Sequence, residues 1–544
     1  MARPRLELMW PHKDEFLLVP RNDDGNPVWV APEHPAAREV RLSRFTDSVG
    51  TVDETDPHLD NTVFVGDSFD AMRVMCEVPE FADRYRGKVK LIYADPPFNT
   101  GQAFEHYDDW MEHATWLSFM RDRLNQMKDL LAPDGSVWVH LDDAEVHRMR
   151  CLMDEVFGGN GFVATVVWES RYSRSNDAGL SVSHNYLLVY AINPQVWNRS
   201  RNRLMRSEAQ AKQYRNPDDD PQGPWRAIPW DAPNLRPNLS YPIATPSGAV
   251  RYPPAGRCWS RTEDQWLEIV ESGRAYFGKS GDGAPSFKQY LSEANPIVPN
   301  TWWSHEEVGH NDEGKREIQR LFPGVTPFAT PKPERLLGRI IHIGSNPGDI
   351  VFDAFAGSGT TAAVAHKMGR RWATSELSLD TVNQFVIPRL THVVEGTDTG
   401  SIADSVGWVG GGGFRTVIIE PSLYEVGVEG MVFLRDDVDP DDLSRAMAGQ
   451  MRFTYLPDAT PFCGQRGRML LAVISGAVGT EEVDDLVSQL PEGTRLTLAA
   501  GALVPGAADY LAKSSRGSKA LKIPRDVLTR SLRKAAEDDL GAQS

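Results

Sequence analysis

An α/β domain with a parallel sheet, interrupted by an insertion, is the fold this 544-residue sequence predicts. Three observations predict it. Short apolar runs end in acids at Thr62–Val65 before Gly66-Asp67 and at Val89–Ala94 before Asp95, as buried strands do. Helical and strand periods alternate around them, which places crossover helices between parallel strands. That texture stops near residue 195 and returns near 332, so one domain is split by another.

The elements follow in order. Residues 1–60, rich in Pro, Asp and His and without sustained periodicity, are expected to form an irregular lead-in. Residues 61–194 carry the two strands above, a helix over Trp116–Leu131 with apolar residues at helical spacing, and a strand at Ser136–Leu141 after Pro133-Asp-Gly135. Further apolar runs occur at Phe162–Trp168 and Tyr186–Ala191. Residues 195–305 turn to Arg, Trp, Pro and Gly and are read as the insertion. Residues 306–400 resume the α/β pattern: a helix over Glu334–Ile343, a strand at Ile350–Phe352, an Ala-rich helix over Thr361–Met368 and a strand at Arg371–Ser375. Beyond Gly410–Gly413, in a tail taken as 401–544, strand-like pieces at Met469–Ile474 and Leu496–Ala499 predict a small C-terminal α/β domain whose role is not legible.

Composition sets limits. No apolar run approaches the roughly 20 residues of a bilayer span, and the charged, proline-bearing N-terminus does not read as a signal peptide. The four cysteines make no Cys-x-x-Cys pair and are too few to staple a secreted fold, so a reducing cytoplasm and no metal site are expected. A net charge of −17 argues against coating nucleic acid everywhere. It leaves room for a local basic groove, and Arg199, Arg201, Arg203, Arg206, Lys212 and Arg215 stand against one acid in their stretch.

Two constellations carry chemistry. In Asp353-Ala-Phe-Ala-Gly357-Ser-Gly359-Thr360, between a strand and a helix, Gly357 and Gly359 let the backbone approach a ligand. The next strand ends in Glu376, where an acid can hold ribose hydroxyls, so a nucleoside cofactor is implied. Without a lysine after the last glycine, and without Gly-x-Gly-x-x-Gly spacing, the loop suits neither ATP nor NAD. The second constellation is Asp95-Pro-Pro-Phe98 at a strand end. Pro96 and Pro97 have no amide donors, leaving the Asp95 carboxylate and the Pro96 carbonyl as two acceptors for an exocyclic amine. Phe98 offers a stacking face. A base inside a duplex must be flipped out to reach such a pocket.

With both motifs in hand, the chain resembles the β-class DNA amino-methyltransferases, in which Asp-Pro-Pro-aromatic precedes Phe-x-Gly-x-Gly: here Asp95–Phe98 and then Phe355–Gly359. Gly223-Pro-Trp225, Thr245-Pro-Ser-Gly248, Lys332-Pro-Glu334 and Gly411-Gly-Gly-Phe414 are similar to landmarks of the modification subunits of type III restriction systems. The resemblance covers roughly residues 60–420. It implies a Rossmann-like methyltransferase sheet with an inserted target-recognition domain, S-adenosylmethionine as cofactor and double-stranded DNA as substrate. It also implies that Asp95, Pro96, Pro97 and Phe98 form the catalytic motif. Asp353, Phe355, Gly357 and Gly359 shape the cofactor loop, Glu376 holds the ribose, Asp67 contacts the adenine, and Lys332 closes over the methionine end. An initial Asp in the motif resembles the adenine-N6 enzymes, where the cytosine-N4 enzymes carry Ser. No Pro-Cys pair is present for methylation at cytosine carbon 5.

Arg199, Arg201, Arg203, Arg206, Arg215, Trp225 and Arg226 are the candidate DNA contacts, since arginine bonds guanine or phosphate and aromatics wedge into an opened stack. His140, Asp142 and Asp143 at one strand end, and His184-Asn185 before another, either line the cleft or cap the sheet; the sequence leaves both open. The expected function is adenine-N6 methylation in a restriction-modification or phage-defence setting. N4-cytosine methylation and a non-catalytic DNA-targeting subunit are the alternatives. A second copy of the chain and a separate helicase–nuclease or defence subunit are the protein partners considered, the chain having no helicase signature of its own.

Overall fold

The computed structural model describes residues 7–19, 26–34, 36–100, 103–104, 107–108, 111–173, 179–206, 211–294, 296–426, 432–435 and 438–523. The chain divides into two compact units, residues 1–202 with 300–544, and residues 203–299. The first is built on a ten-stranded sheet. In chain order its strands are β1 (Ser43–Gly50), β2 (Asn61–Val65), β3 (Val89–Ala94), β4 (Leu131–Leu141), β5 (Phe162–Glu169), β6 (His184–Ala191), β7 (Trp302–Trp303), β8 (Ile350–Asp353), β9 (Arg371–Glu376) and β10 (Gly413–Ile419). Their spatial order is β7-β5-β6-β4-β3-β8-β9-β2-β10-β1. The strands from β4 to β10 in that order are all parallel. Antiparallel neighbours occur at β6, against β4 and β5, and at β1, against β10.

Four helices matter for the site: α1 (Ser68–Glu77), α2 (His113–Leu130), α3 (Glu334–Gly344) and α4 (Thr360–Lys367). Strand β3 is buried at every residue, which is why it reads as one continuous apolar run. Asp67 caps α1 by accepting the Phe69 amide at 2.7 Å, satisfying one of the helix's orphan donors. Helix α3 buries Leu336, Leu337, Ile340, Ile341 and Ile343 as one apolar face. The chain winds outward from β3 to β4 and in the opposite direction from β8 to β9, so the strand order reverses between β3 and β8. Open α/β sheets bind ligands at such a switch point, beyond the carboxyl ends of the strands.

The architecture is a Rossmann-like sheet with added α/β parts, as the sequence predicts, but its borders differ. The lead-in is not wholly irregular: Ser43–Gly50 pairs with β10 and closes one edge of the sheet. Residues 413–419, assigned to the tail, form β10 inside that sheet. At the insertion, the helix Pro194–Ser200 belongs to the first unit, where Trp197 is buried and Asn202 Nδ2 bonds the carbonyls of His342 and Ser345. Arg199 and Arg201 therefore lie outside the inserted unit. Trp302–Trp303 likewise returns to the sheet, parallel to β5. The strand read as starting at Ser136 starts at Leu131, and Pro133-Asp-Gly135 lies within it.

The second unit holds a three-stranded antiparallel sheet of Trp225–Pro229, Ser286–Tyr290 and Ala275–Tyr276, with Trp230, Tyr241, Trp259, Trp266 and Phe277 in its core. Its two ends are tied to each other, since the Leu204 and Ile297 amides each bond the other's carbonyl at 2.9 and 2.8 Å. At the C-terminal side of the first unit, Met469–Val478, Arg495–Leu503 and Lys519–Lys522 run parallel with helices Thr480–Ser488 and Ala507–Ser514 between them. Two short antiparallel strands complete that five-stranded sheet. All four cysteines are free thiols. Among the described residues no helix is long and apolar enough to cross a membrane.

Candidate active site

Four adjacent parallel strands deliver an acid to the same edge: Asp95 after β3, Asp353 ending β8, Glu376 ending β9, and Asp67 beyond β2. All four line one cavity of about 510 Å³ at the switch point, where Arg123 and Lys332 are the basic residues of the wall. Each base is set against an acid, Arg123 against Asp67 and Lys332 against Asp95.

The glycine loop closes one side. Gly357 and Gly359 have φ of +52° and +74°, a region other residues enter at a cost. The Gly357 amide donates to Glu376 Oε2 at 2.9 Å, and Ser378 N donates to Glu376 Oε1 at 3.1 Å, so the loop and the acid hold each other. A β-carbon on Gly357 would sit 3.2 Å from the Phe328 ring. Asp353 is buried and accepts the Phe355 amide at 3.0 Å. Burial pushes its carboxyl up to about 8, with the Asp95 and Glu376 charges adding and bonds from Thr361 and Phe355 opposing. Burial thus favours the protonated form of Asp353 at neutral pH. Opposite, Arg123 Nη2 donates to both Asp67 oxygens at 2.7 and 2.6 Å, Nε donates to Ser68 Oγ at 2.9 Å, and the guanidinium stacks 3.3 Å from the Phe119 ring centroid.

A second cavity, about 610 Å³, lies on the far side of the Asp95 motif. The residues of that motif divide between the two: Asp95 lines both, Pro97 the first, Pro96 and Phe98 the second. The Pro97 carbonyl accepts Trp116 Nε1–H at 2.9 Å, which fixes the turn. Lys332 lines both cavities too, and its ammonium pairs with the Asp95 carboxylate. The same ammonium lies 5.4 Å from the centre of the Phe98 ring.

Behind the glycine loop is a buried ionic network that the sequence does not announce. Glu334, two residues after Lys332, bonds Lys367 Nζ at 2.8 and 3.0 Å and Arg389 Nη2 at 3.0 Å. Arg389 also donates to Thr360 Oγ1 at 2.7 Å, and Lys367 reaches Asp398 at 2.6 Å. The pairing outweighs the burial and holds Glu334 below the usual carboxylate value. It ties the start of α3, and so the Lys332 segment, to the first turn of α4.

Of the residues singled out from sequence, Asp67, Asp95, Pro97, Lys332, Asp353, Phe355, Gly357 and Glu376 are brought around the first cavity. Gly359 stands directly behind, as the residue preceding α4. Asp142, Asp143, His184 and Asn185 line the second cavity, while His140 is wholly buried behind it. The candidate DNA contacts fall on both units. Arg199 is exposed on its helix in the first unit; Arg203 and Arg215 are exposed in the second. Arg206 and Arg226 are half-buried, their guanidinium groups 5.8 and 5.2 Å from the Tyr214 ring centre, and Arg226 Nε donates to Gln289. Trp225 is a correction to the wedge expectation: it is buried, packs edge-on to Tyr276 and donates Nε1–H to Asp218 at 2.8 Å, so it belongs to the packing of its unit. Sequence reasoning missed Tyr93, Arg123 and Phe328. Arg123 is a lone cation buried within the apolar stripe of its helix, between Met120 and Met127, where a charged residue breaks the pattern rather than joining it; Phe328 carries no periodic signal.

Fold and site together define a Rossmann-like methyltransferase core, with a ligand cavity at the switch point and a second cavity across an Asp-Pro-Pro-Phe wall. A model of the DNA methylase family that embraces N6 and N4 enzymes matches residues 89–386. The chain belongs to that family. It is 33% identical over 334 residues to the Mod subunit of the type III restriction-modification enzyme StyLTI of Salmonella typhimurium, covering 56% of this chain and 49% of that protein. It is 32% identical over 303 residues to the type II methyltransferase M.EcaI of Enterobacter cloacae, covering 54% and 62%. A probable type III Mod subunit, HindVI of Haemophilus influenzae, is 27% identical over 449 residues, covering 70% and 57%. The chain thus spans about half to three fifths of the length of these relatives.

Proposed function

We propose that the chain transfers a methyl group from S-adenosylmethionine to the N6 amine of an adenine flipped out of DNA, in a restriction-modification or defence setting. The observation that carries this reading is the shared wall: Asp95, Thr330 and Lys332 line both cavities. A donor held in one and a base held in the other would meet across the Asp95 motif.

The first cavity suits the cofactor. Its carboxylates at Asp67, Asp95 and Glu376 would complement a sulfonium and an ammonium, and Glu376 would hold the ribose hydroxyls. The Gly357 backbone leaves space that a β-carbon would fill. Phe355, Asp67 and the Arg123–Phe119 pair would enclose the adenine, and Lys332 would face the carboxylate end. S-adenosylmethionine supplies an activated methyl group when bound. The chain's task is then orientation and exclusion of water. Asp95 and the Pro96 carbonyl accept the two N–H bonds of the target amine and aim its lone pair at the first cavity, and Phe98 supports the base. The Glu334–Arg389 network holds Lys332 and the glycine loop in register.

Residues 203–299 are the proposed target-recognition unit, with Arg203 and Arg215 as its exposed candidate contacts and Arg206 and Arg226 closer in. Arg199 would add a contact from the first unit. Two of the relatives above are Mod subunits by name, which supports a separate restriction subunit as partner here.

The test is transfer of labelled methyl from S-adenosylmethionine to unmethylated plasmid DNA, followed by nucleoside analysis and mapping of the modified sites. N6-methyladenine that disappears in Asp95→Ala, with cofactor binding retained, is the expected result. N4-methylcytosine would move the target and keep the mechanism. Absence of transfer despite cofactor binding would favour a DNA-targeting subunit.

A further inference from the structure

A string of polar groups, Tyr93, His140 and Ser170 buried and Asn185 half-buried, links one cavity to the other. Tyr93 lines the first cavity, and its hydroxyl lies 2.9 Å from Nδ1 of His140. The other ring nitrogen of His140, Nε2, lies 3.3 Å from Nδ2 of Asn185. Asn185 Oδ1 accepts the Ser170 hydroxyl at 3.2 Å. Both Asn185 and Ser170 line the second cavity, together with Asp95, Pro96 and Phe98.

This string fixes a side chain in space. Burial pulls the His140 imidazole well below its ordinary value, and the Lys332 charge adds to the effect, so the ring is neutral. A neutral imidazole has one N–H and one acceptor nitrogen. The Asn185 amide nitrogen can only donate, so Nε2 accepts from it and Nδ1–H points to the Tyr93 oxygen. Packing of His140 against Trp168 and Phe98, at 5.3 and 5.6 Å between ring centres, holds the imidazole plane. Asn185 is thereby gripped at both ends, by His140 on one N–H and by Ser170 on its oxygen. Its second N–H takes no part in this string.

From this geometry we infer that Asn185 is a base-positioning residue whose second N–H donates to the ring nitrogen beside the target amine. An aminated base presents a donor, its amine, next to a ring-nitrogen acceptor. The second cavity offers the complement: acceptors at Asp95 and Pro96, and a donor at Asn185. His140 and Tyr93 act through Asn185 and never touch the base. The inference rests on the reading of this cavity as the seat of a flipped base.

The test uses the full-length chain and a duplex containing the methylation site mapped above, in single-turnover transfer. The target adenine is replaced in turn by 1-deazaadenine, which lacks the ring nitrogen on one side of the amine, and by 7-deazaadenine, which lacks the one near its other side. One neutral hydrogen bond is worth about 1 kcal/mol, so a loss of roughly five- to tenfold is expected with one of the two analogues. Asn185→Ala should lose a similar factor on natural DNA and nothing further on that analogue. Asn185→Leu, which keeps the approximate size and loses the donor without adding charge, should behave the same way. Unchanged cofactor affinity in both variants would show that the fold is intact. Wild-type rates that ignore both analogues, or losses in Asn185→Ala that multiply with the analogue's own, would overturn the assignment. Failure of the wild-type chain to methylate any DNA would instead strike at the proposed function, and the two failures are distinct.

Discussion

Gly357→Ala isolates the part of the cofactor cavity that depends on one missing atom. The residue sits at φ +52°, where a β-carbon costs about 1–2 kcal/mol. That carbon would also lie 3.2 Å from Cε1 and Cζ of Phe328, so ring or loop must give by a few tenths of an ångström. The loop cannot move alone, because the Gly357 amide is bonded to Glu376 at 2.9 Å. Strain is thus delivered to the acid expected to hold the ribose. If about 2 kcal/mol falls on the bound geometry, affinity for S-adenosylmethionine drops roughly 30-fold. Titration calorimetry measures it directly. Gly348→Ala is the control: its φ is +85°, and an added β-carbon there would meet no atom within 4 Å. It should lose a comparable amount of stability and keep its affinity. If Gly357→Ala binds within twofold of wild type, or if Gly348→Ala weakens binding equally, the cradle argument fails.

Other perturbations probe the surrounding charges. Burial raises Asp353 to about 8, whereas an unfolded Asp titrates near ~4. Its contribution to stability is fully present below about pH 4 and is lost as pH rises toward 8. Asp353→Asn should therefore gain on wild type by about 1.4 kcal/mol per pH unit across that window, read from urea melts at pH 5 and pH 7; a difference that does not vary with pH would refute it. Arg389→Met removes a buried partner of Glu334 and Thr360 and should cost about 3–5 kcal/mol of stability, the penalty of stranding a buried charge. Cofactor affinity should fall with it, and a variant that melts like wild type would mean the network is incidental.

Much of the fold was legible because the central strands bury both faces. Thr62–Val65, Val89–Ala94 and Ile350–Phe352 are apolar runs that no helix period explains, and each ends in or before one of the acids of the site. The edges were not legible. Strand β1 alternates Phe45 and Val49 with charged and polar residues in a short stretch, and the pattern gains meaning only through its pairing with β10. Trp225 shows the opposite failure. An aromatic among arginines suits a DNA surface by composition, but composition does not say which way a side chain faces, and this indole faces inward. The Glu334, Lys367, Arg389 and Asp398 network was out of reach for a further reason: its members lie up to 64 positions apart in sequence, and no local spacing rule links them.

The inserted unit has its two ends joined by a hydrogen-bonded pair of residues, Leu204 and Ile297. For the sheet, the whole unit is then equivalent to a hairpin turn: its ends are already joined, and closure entropy depends only weakly on what lies between them. Selection, or a designer, can therefore exchange this cassette at the neck without asking the transferase core to refold. Sites of recombination between related sequences are expected to cluster on either side of those two residues, which makes the neck the natural boundary for building chimeras.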